Sequence, residues 1–376
     1  MNNLFDSKKI SNLKKILKDK KRIFLVTGKK SFEKSGAKAL LNEHLIDKEF
    51  IRFSNFKTNP EMEDLKSGIE IFKNFNPEIV IAVGGGSVID IAKLINIFSF
   101  QNSSPEKIIN DKKNIKKRGL QLIAIPSTTG TGSEVTQFSV VYKDKKKYSV
   151  DHEYLTPTDF IIEPKLAVGL PSYVMACSAF DALSQATESF WSVNSSEESK
   201  SYSKKAIKLL TKSISSAVIS RNLDDIKNLF LGANLAGRAI NLTRTTAPHA
   251  FSYPLTSRYG IPHGHAVAVL LGKFFVVNSN SSLENVVDQR GKKYLDEMFH
   301  ELFNLFECKT SQECEKYWYD LMKKLSLETN LKKLGVNDKK DILTIFNNVN
   351  FERLKNNPTL VTEDKFSDIL LSLQLH

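Results

Sequence analysis

Cysteine is scarce in this 376-residue chain, which holds only Cys177, Cys308 and Cys314. An odd, sparse count excludes a disulfide framework, and no pair stands at the close spacing of a zinc knuckle. Buried free thiols in a reducing cytoplasm are the expectation. No run of about 18 apolar residues occurs, which excludes a membrane-spanning helix. The start, Met-Asn-Asn-Leu-Phe-Asp-Ser-Lys-Lys, has no apolar signal segment. Internal repeats and long low-complexity segments are lacking too. Acidic residues are outnumbered, 42 against 54 basic ones, for a net charge of +12. The lysines scatter through helix-like and turn-like segments without a recognition motif, so the basic balance reads as solvated surface rather than a nucleic-acid site. Such a field also draws in an anionic cofactor or substrate.

What is present is enough apolar sequence, 41% of residues, for packed cores, in a length that suggests two domains. The first part alternates short apolar runs with helix-like stretches. Arg22 to Gly28, Phe50 to Phe53, Ile79 to Val83 and Gln121 to Ile125 read as strands. Phe32 to about Glu43 and Glu61 to Asn74 read as helices. This alternation predicts an α/β domain with a parallel, doubly wound sheet over residues 1–168. From 169 to 376 helical segments dominate, roughly Tyr173–Phe190, Ser201–Ser220, Asp224–Asn241, Tyr294–Phe306 and Cys314–Leu325. An all-α second domain is expected, with the boundary between Glu163 and Ser172. Asn278 to Ser282 reads as a polar loop.

Two loops suit a nucleotide. Gly84-Gly85-Gly86-Ser87 follows a strand and opens a helix that also carries Asp90. Glycines let the backbone approach a ligand, and a helix N-terminus presents free N–H groups to phosphate. Pro126-Ser-Thr-Thr-Gly-Thr-Gly-Ser-Glu offers Ser127, Thr128, Thr129, Thr131 and Ser133 after another strand. Two such loops at the carboxyl ends of parallel strands form the usual layout of a nucleotide site. Neither loop is a dinucleotide fingerprint or a Walker loop, and a ligand-free tight turn is the alternative for each. After the second strand stand Ser54 and Asn55, where an acidic residue would bind the adenosine ribose and repel a 2′-phosphate. With Arg52 and Lys57 close in sequence, NADPH is expected over NADH.

A metal constellation follows. Asp181 and Gln185, at i and i+4, share one helix face. His249 and His263 lie beside Pro248 and Pro262, and His265 competes with His263. One carboxylate and two imidazoles would hold a divalent cation and leave a position open. Gln185 offers an amide oxygen, a poorer ligand than imidazole for a late first-row metal. The alternative is a salt-bridged Asp181 among hydrogen-bonded histidines.

In this order and spacing, the glycine loop, the Pro-Ser-Thr-Thr-Gly-Thr-Gly-Ser-Glu segment, the Asp181-Ala-Leu-x-x-Ala-x-Glu-Ser helix and the Pro262-His-Gly tract resemble the iron-containing (group III) alcohol dehydrogenase family. The likeness spans about residues 20 to 280, and Asn356-Asn-Pro-Thr-Leu-Val-Thr-Glu-Asp resembles the start of the family's closing helix. The resemblance implies a dehydroquinate synthase-like fold with a Rossmann-like nucleotide domain and a helical metal domain, and NAD(P)-dependent interconversion of an aldehyde and an alcohol. It implies Asp181, His249 and His263 as ligands of Fe2+ or Zn2+. Gln185 stands where most members have a further histidine ligand, and Tyr253 stands where relatives often place a histidine near the substrate. Tyr253 and His263 are accordingly the candidate catalytic residues. Val26 to Ala37, Phe190-Trp-Ser-Val-Asn194 and the tract from Thr243 to Thr256 resemble the phosphonoacetaldehyde reductase branch. That implies a small anionic aldehyde as substrate, with Arg244, Arg258 and Lys147 as candidate cations near it; Lys147 is a candidate for the cofactor as well. A homo-oligomer is implied, with no nucleic-acid or membrane partner. The rival readings are another group III dehydrogenase (lactaldehyde, butanal or a hydroxy acid), a dehydroquinate synthase-type lyase or cyclase, and a metal-free binding protein.

Overall fold

The computed structural model describes residues 10–144, 146–349 and 351–375. The chain divides into two compact units, Met1–Leu170 and Pro171–His376.

The first unit is built on five parallel strands: β1 (Arg22–Thr27), β2 (Glu49–Phe53), β3 (Ile79–Gly84), β4 (Leu122–Pro126) and a short β7 (Asp159–Phe160), in the order β2-β1-β3-β4-β7. Pairing is in simple register, with Ile23 beside Ile79 and Val80 beside Leu122. The apolar runs are continuous because both faces are covered. Alternate residues feed two cores: Phe24, Val26, Val80, Ala82 and Ala124 face one, and Ile23, Leu25, Ile79, Ile81 and Ile123 face the other. Helix Met62–Phe75 begins in a capping box between Glu61 and Asp64.

Two local features differ from the sequence reading. The stretch after β1 is not one helix; it breaks at Gly36, whose φ of +81° separates Ser31–Lys34 from Ala37–Leu45. An antiparallel hairpin also forms, β5 (Phe138–Lys143) with β6 (Lys146–Asp151), where no strand was expected. Its lysine-rich turn hid the alternation that would have announced it.

Every named element of the second unit is helical. Its central helix, Ser172–Trp191, is buried on nearly every side by Glu197–Ile219, Leu223–Thr243 and His263–Ser279. Two helices the sequence reading left unassigned are Ala247–Tyr259 and His263–Ser279. Pro248 sits in the first turn of the former, where a missing N–H costs nothing, and Pro254 lies inside it. Gly260, at φ +70°, ends that helix, and Pro262 precedes the next. The expected polar loop, Asn278 to Ser282, is found over Asn280–Ser282; its first two residues are the last two of this second helix. Asn278 is buried and exchanges hydrogen bonds with Asn357 and accepts one from Thr359. Thr362 caps the closing helix, Glu363–Leu373. No described helix is long and apolar enough to cross a membrane.

Ile81 lies fully buried in the middle of β3. Ile81→Ala is expected to lower the unfolding free energy by about 2–5 kcal/mol, read from denaturant midpoints.

Candidate functional site

In the first unit the two loops meet. Gly85 caps the helix Gly86–Phe98, and the Ser127 N–H donates to the Gly84 carbonyl at 2.9 Å. A Cβ on Gly85 would come within 3.2 Å of Thr128, and one on Gly86 within 2.6 Å of Thr131. The glycines therefore let the second loop lie directly against the first. Ser87 is half-buried in the first turn of the helix. The Thr129 hydroxyl is buried without a protein partner.

The same helix holds the second loop from its other side. Asp90 accepts from the Ser133 hydroxyl and, at 3.0 Å, from the Val140 N–H. The fully buried Lys93 ammonium donates to Ser133 Oγ, to both oxygens of Thr136 and to the Phe138 carbonyl. Burial pulls its pKa down to about 8, against the favourable charges of Asp90 and Glu134. Asp90 and Ser133, expected to touch a cofactor, are thus engaged in fixing the loop. Lys147 lies on β6 opposite Tyr142, and its charge bears on Asp90.

Ser54 is half-buried just after β2. The two cations invoked beside it have partners. Arg52 donates to Thr27 Oγ1 and to the carbonyls of Gly28 and Lys29, and it stacks on Phe32. Lys57 pairs with Glu61 at 2.7 Å. What remains of the cofactor argument is the missing carboxylate at Ser54 and Asn55.

In the second unit, Asp181, His249 and His263 bring one ligand atom each within 4.8 Å of one another. His249 Nε2 stands 3.4 Å and His263 Nε2 4.0 Å from Asp181 Oδ1. Asp181 Oδ1 and Gln185 Oε1 are both buried with no hydrogen-bond partner. Leaving buried acceptors unsatisfied is costly, so two of them beside two imidazole nitrogens fit a cation.

The imidazole of His249 is fixed from behind. Its Nδ1 is bonded to Glu188 Oε1, and Glu188 Oε2 accepts from the Thr246 N–H at 2.7 Å and hydroxyl at 2.9 Å. The Trp191 indole in turn donates to Thr246. This contact directs Nε2 toward Asp181, where a bound metal would displace the Nε2 proton. Burial disfavours charge on His249, but Glu188 and Asp181 outweigh it and raise its pKa to about 10. Burial also works against charge on Asp181; His249, His263 and Gln185 outweigh it and leave its carboxyl below the ordinary value. Two carboxylates flank one imidazole, a balance that a divalent cation neutralises.

The His249 side chain is 4% exposed and that of His263 is 35% exposed, so the cluster opens on the His263 side. There the Tyr253 ring stacks on His263, with centroids 5.8 Å apart and planes 18° apart. Gly264 makes the approach possible. A Cβ there would lie 2.0 Å from the Cys177 carbonyl oxygen, a backbone atom of the helix that carries Asp181.

Other candidates are placed elsewhere. His265 bonds Tyr173 through Nδ1 and the Glu328 carbonyl through Nε2, which removes it as a rival ligand. Arg258, exposed, donates to Asn348. Arg244, at φ +65°, turns back to the carbonyls of Ile240 and Asn241 and caps its own helix. Glu188 is the residue that sequence reasoning passed over. It lies seven positions after Asp181 on the same helix face, which was the available signal.

The family model for iron-containing alcohol dehydrogenases matches residues 2–164, and the model for that family's C-terminal region matches 175–373. The chain belongs to the iron-containing alcohol dehydrogenase family. Family membership carries the fold with it, and the solved structures agree. Sulfoacetaldehyde reductase from Bifidobacterium kashiwanohense, solved with NAD+, aligns with a TM-score of 0.87 at 28% identity, over 98% of this chain and 95% of that one. Long-chain-alcohol dehydrogenase 1 of Geobacillus thermodenitrificans is 34% identical over 222 residues, 58% of this chain and 56% of the relative. Phosphonoacetaldehyde reductase of Streptomyces viridochromogenes is 31% identical over 230 residues, 57% of this chain and 56% of the relative. The matched stretches thus span little more than half the length of these curated relatives.

Glu188→Gln removes the negative charge that fixes His249, and is expected to weaken metal binding by about 10–100-fold in a chelator competition. Gly264→Ala is expected to push His263 away from Asp181 and to lower both metal affinity and the melting temperature; an unchanged affinity would show the close approach to be dispensable.

Proposed function

We propose that the chain is a metal-assisted, nicotinamide-dinucleotide-dependent aldehyde reductase, acting on a small anionic aldehyde with phosphonoacetaldehyde as the first candidate. The observation that carries the reaction class is the convergence of Asp181, His249 and His263, with Gln185 one turn along the Asp181 helix, two buried acceptors that make no hydrogen bond, and one side open. Asp181, His249 and His263 would hold Fe2+ or Zn2+. When bound, such a cation polarises a carbonyl oxygen as a Lewis acid and the dinucleotide supplies the hydride.

The chain's own residues do the rest. Glu188 holds His249 by Nδ1 and so aims Nε2 at the cluster, where a cation would take the place of the Nε2 proton. The Tyr253 ring, stacked on His263, makes its phenol the candidate to give an alkoxide its proton. The glycine backbone at 84–86 and the hydroxyls of Ser127, Thr128, Thr129 and Thr131 make the diphosphate cradle, which Lys93 and Asp90 hold in place.

The substrate class rests on relatives whose names specify aldehydes bearing an acid group, a phosphonate in one and a sulfonate in the other. A second reading, an uncharged aldehyde, is favoured by the engagement of Arg244 and Arg258 with protein acceptors. It has a relative in the NADPH-dependent butanol dehydrogenase of Clostridium saccharobutylicum, 28% identical over 292 residues. NADPH is proposed as the preferred reductant because no carboxylate at Ser54 or Asn55 would repel a 2′-phosphate. A reducing cytoplasm, in keeping with three buried free thiols, and a homo-oligomeric state complete the proposal.

Metal-stripped protein is expected to lose aldehyde reduction and to regain it on adding Fe2+ or Zn2+; undiminished turnover after stripping would overturn the metal role. Side-by-side kcat/KM values should favour phosphonoacetaldehyde over butanal, and the reverse order supports the uncharged substrate. Ser54→Asp should cut kcat/KM for NADPH while sparing NADH. Light scattering on the purified protein reads the oligomeric state.

A further inference from the structure

The identity of residue 185 bears on which cation the cluster selects. Gln185 lies one helical turn after Asp181 on the same face of Ser172–Trp191, and both residues are buried. Its Oε1 atom has no hydrogen-bond partner, and neither does Asp181 Oδ1. The amide N–H that helps hold the Asp181 carboxyl low accounts for one end of the side chain only; the carbonyl oxygen is left unsatisfied, which is costly in a buried place. The other faces of the cluster already supply two imidazole nitrogens, from His249 and His263.

We infer that the Gln185 amide oxygen is the fourth protein ligand and that it shifts the centre's preference from late, imidazole-loving cations toward a harder divalent ion such as Mn2+. The inference rests on the proposed metal site and refines its selectivity. The physical basis is ligand hardness. A carboxylate oxygen, an amide oxygen and two imidazoles make a donor set balanced between oxygen and nitrogen. Imidazole suits zinc and its late neighbours, whereas carbonyl and carboxylate oxygens suit magnesium, calcium and manganese. The general affinity order still places zinc above manganese, so the effect of Gln185 is to narrow that gap rather than to invert it. A histidine at the same place would widen it.

The test is binding, not turnover. Metal-free full-length protein is titrated separately with Zn2+ and Mn2+ against a chromophoric chelator at one pH, for the native sequence, Gln185→His, Gln185→Leu and Gln185→Glu. Circular dichroism melts of each metal-free variant establish folding. Gln185→His is expected to raise the ratio of zinc to manganese affinity by about tenfold, and Gln185→Leu to weaken both metals by about tenfold. Gln185→Glu keeps an oxygen at that position, so it should bind both ions at least as tightly as the native protein and keep the zinc-to-manganese ratio low. It provides a folded comparison if the histidine or leucine variant does not fold. An unchanged zinc-to-manganese ratio in folded Gln185→His, undiminished affinity for both ions in folded Gln185→Leu, or weaker binding of both ions by folded Gln185→Glu would overturn the inference and leave the metal site standing. Failure of the native protein to bind either ion, with Asp181→Ala no different, would overturn the metal site and this inference together.

Discussion

A single buried imidazole, held between two carboxylates, governs the second unit. His249 has Glu188 on one ring nitrogen and Asp181 facing the other. Neither carboxylate tolerates burial without compensation, so the three helices that carry the cluster's residues are committed to one arrangement. The central helix supplies Asp181, Gln185 and Glu188 from one face; Ala247–Tyr259 supplies His249; His263–Ser279 supplies His263. The tight approach at Gly264 and the prolines around the two histidines serve that convergence. In the first unit the corresponding commitment is the Asp90–Lys93 pair, which ties the hydroxyl-rich loop to the helix whose N-terminus faces the glycines.

Much of this could be read from residue order. Short apolar runs ending at Gly28, Gly84 and Pro126 gave away the parallel strands, because a strand buried on both faces has no polar alternation to confuse it. Asp181 and Gln185 at i and i+4 placed two oxygen donors on one face before any coordinates. The helix holding His249 was harder. It contains two prolines and mixes polar and apolar residues without a clean stripe, so packing rather than local preference makes it helical. The hairpin at 138–151 was hidden by its lysines.

Charge was where sequence placed residues least firmly. Arg52, Arg244 and Arg258 were nominated because an anion needs cations, yet a guanidinium has five donors and readily satisfies nearby carbonyls. The structure finds each of them with such partners. Glu188 shows the converse. Its chemistry lies in what it does to another residue's proton, and composition alone has no way of marking that.

The hydrogen-bonded series from Trp191 to Thr246 to Glu188 to His249 has an optical consequence. The chain has two tryptophans, and both are fully buried. Only one of them, Trp191, belongs to this series. A change in the electron demand on His249 alters the field at an indole three contacts away. Trp191 is thus the indole joined to the cluster by hydrogen bonds, and its emission is the signal to follow when a cation is added.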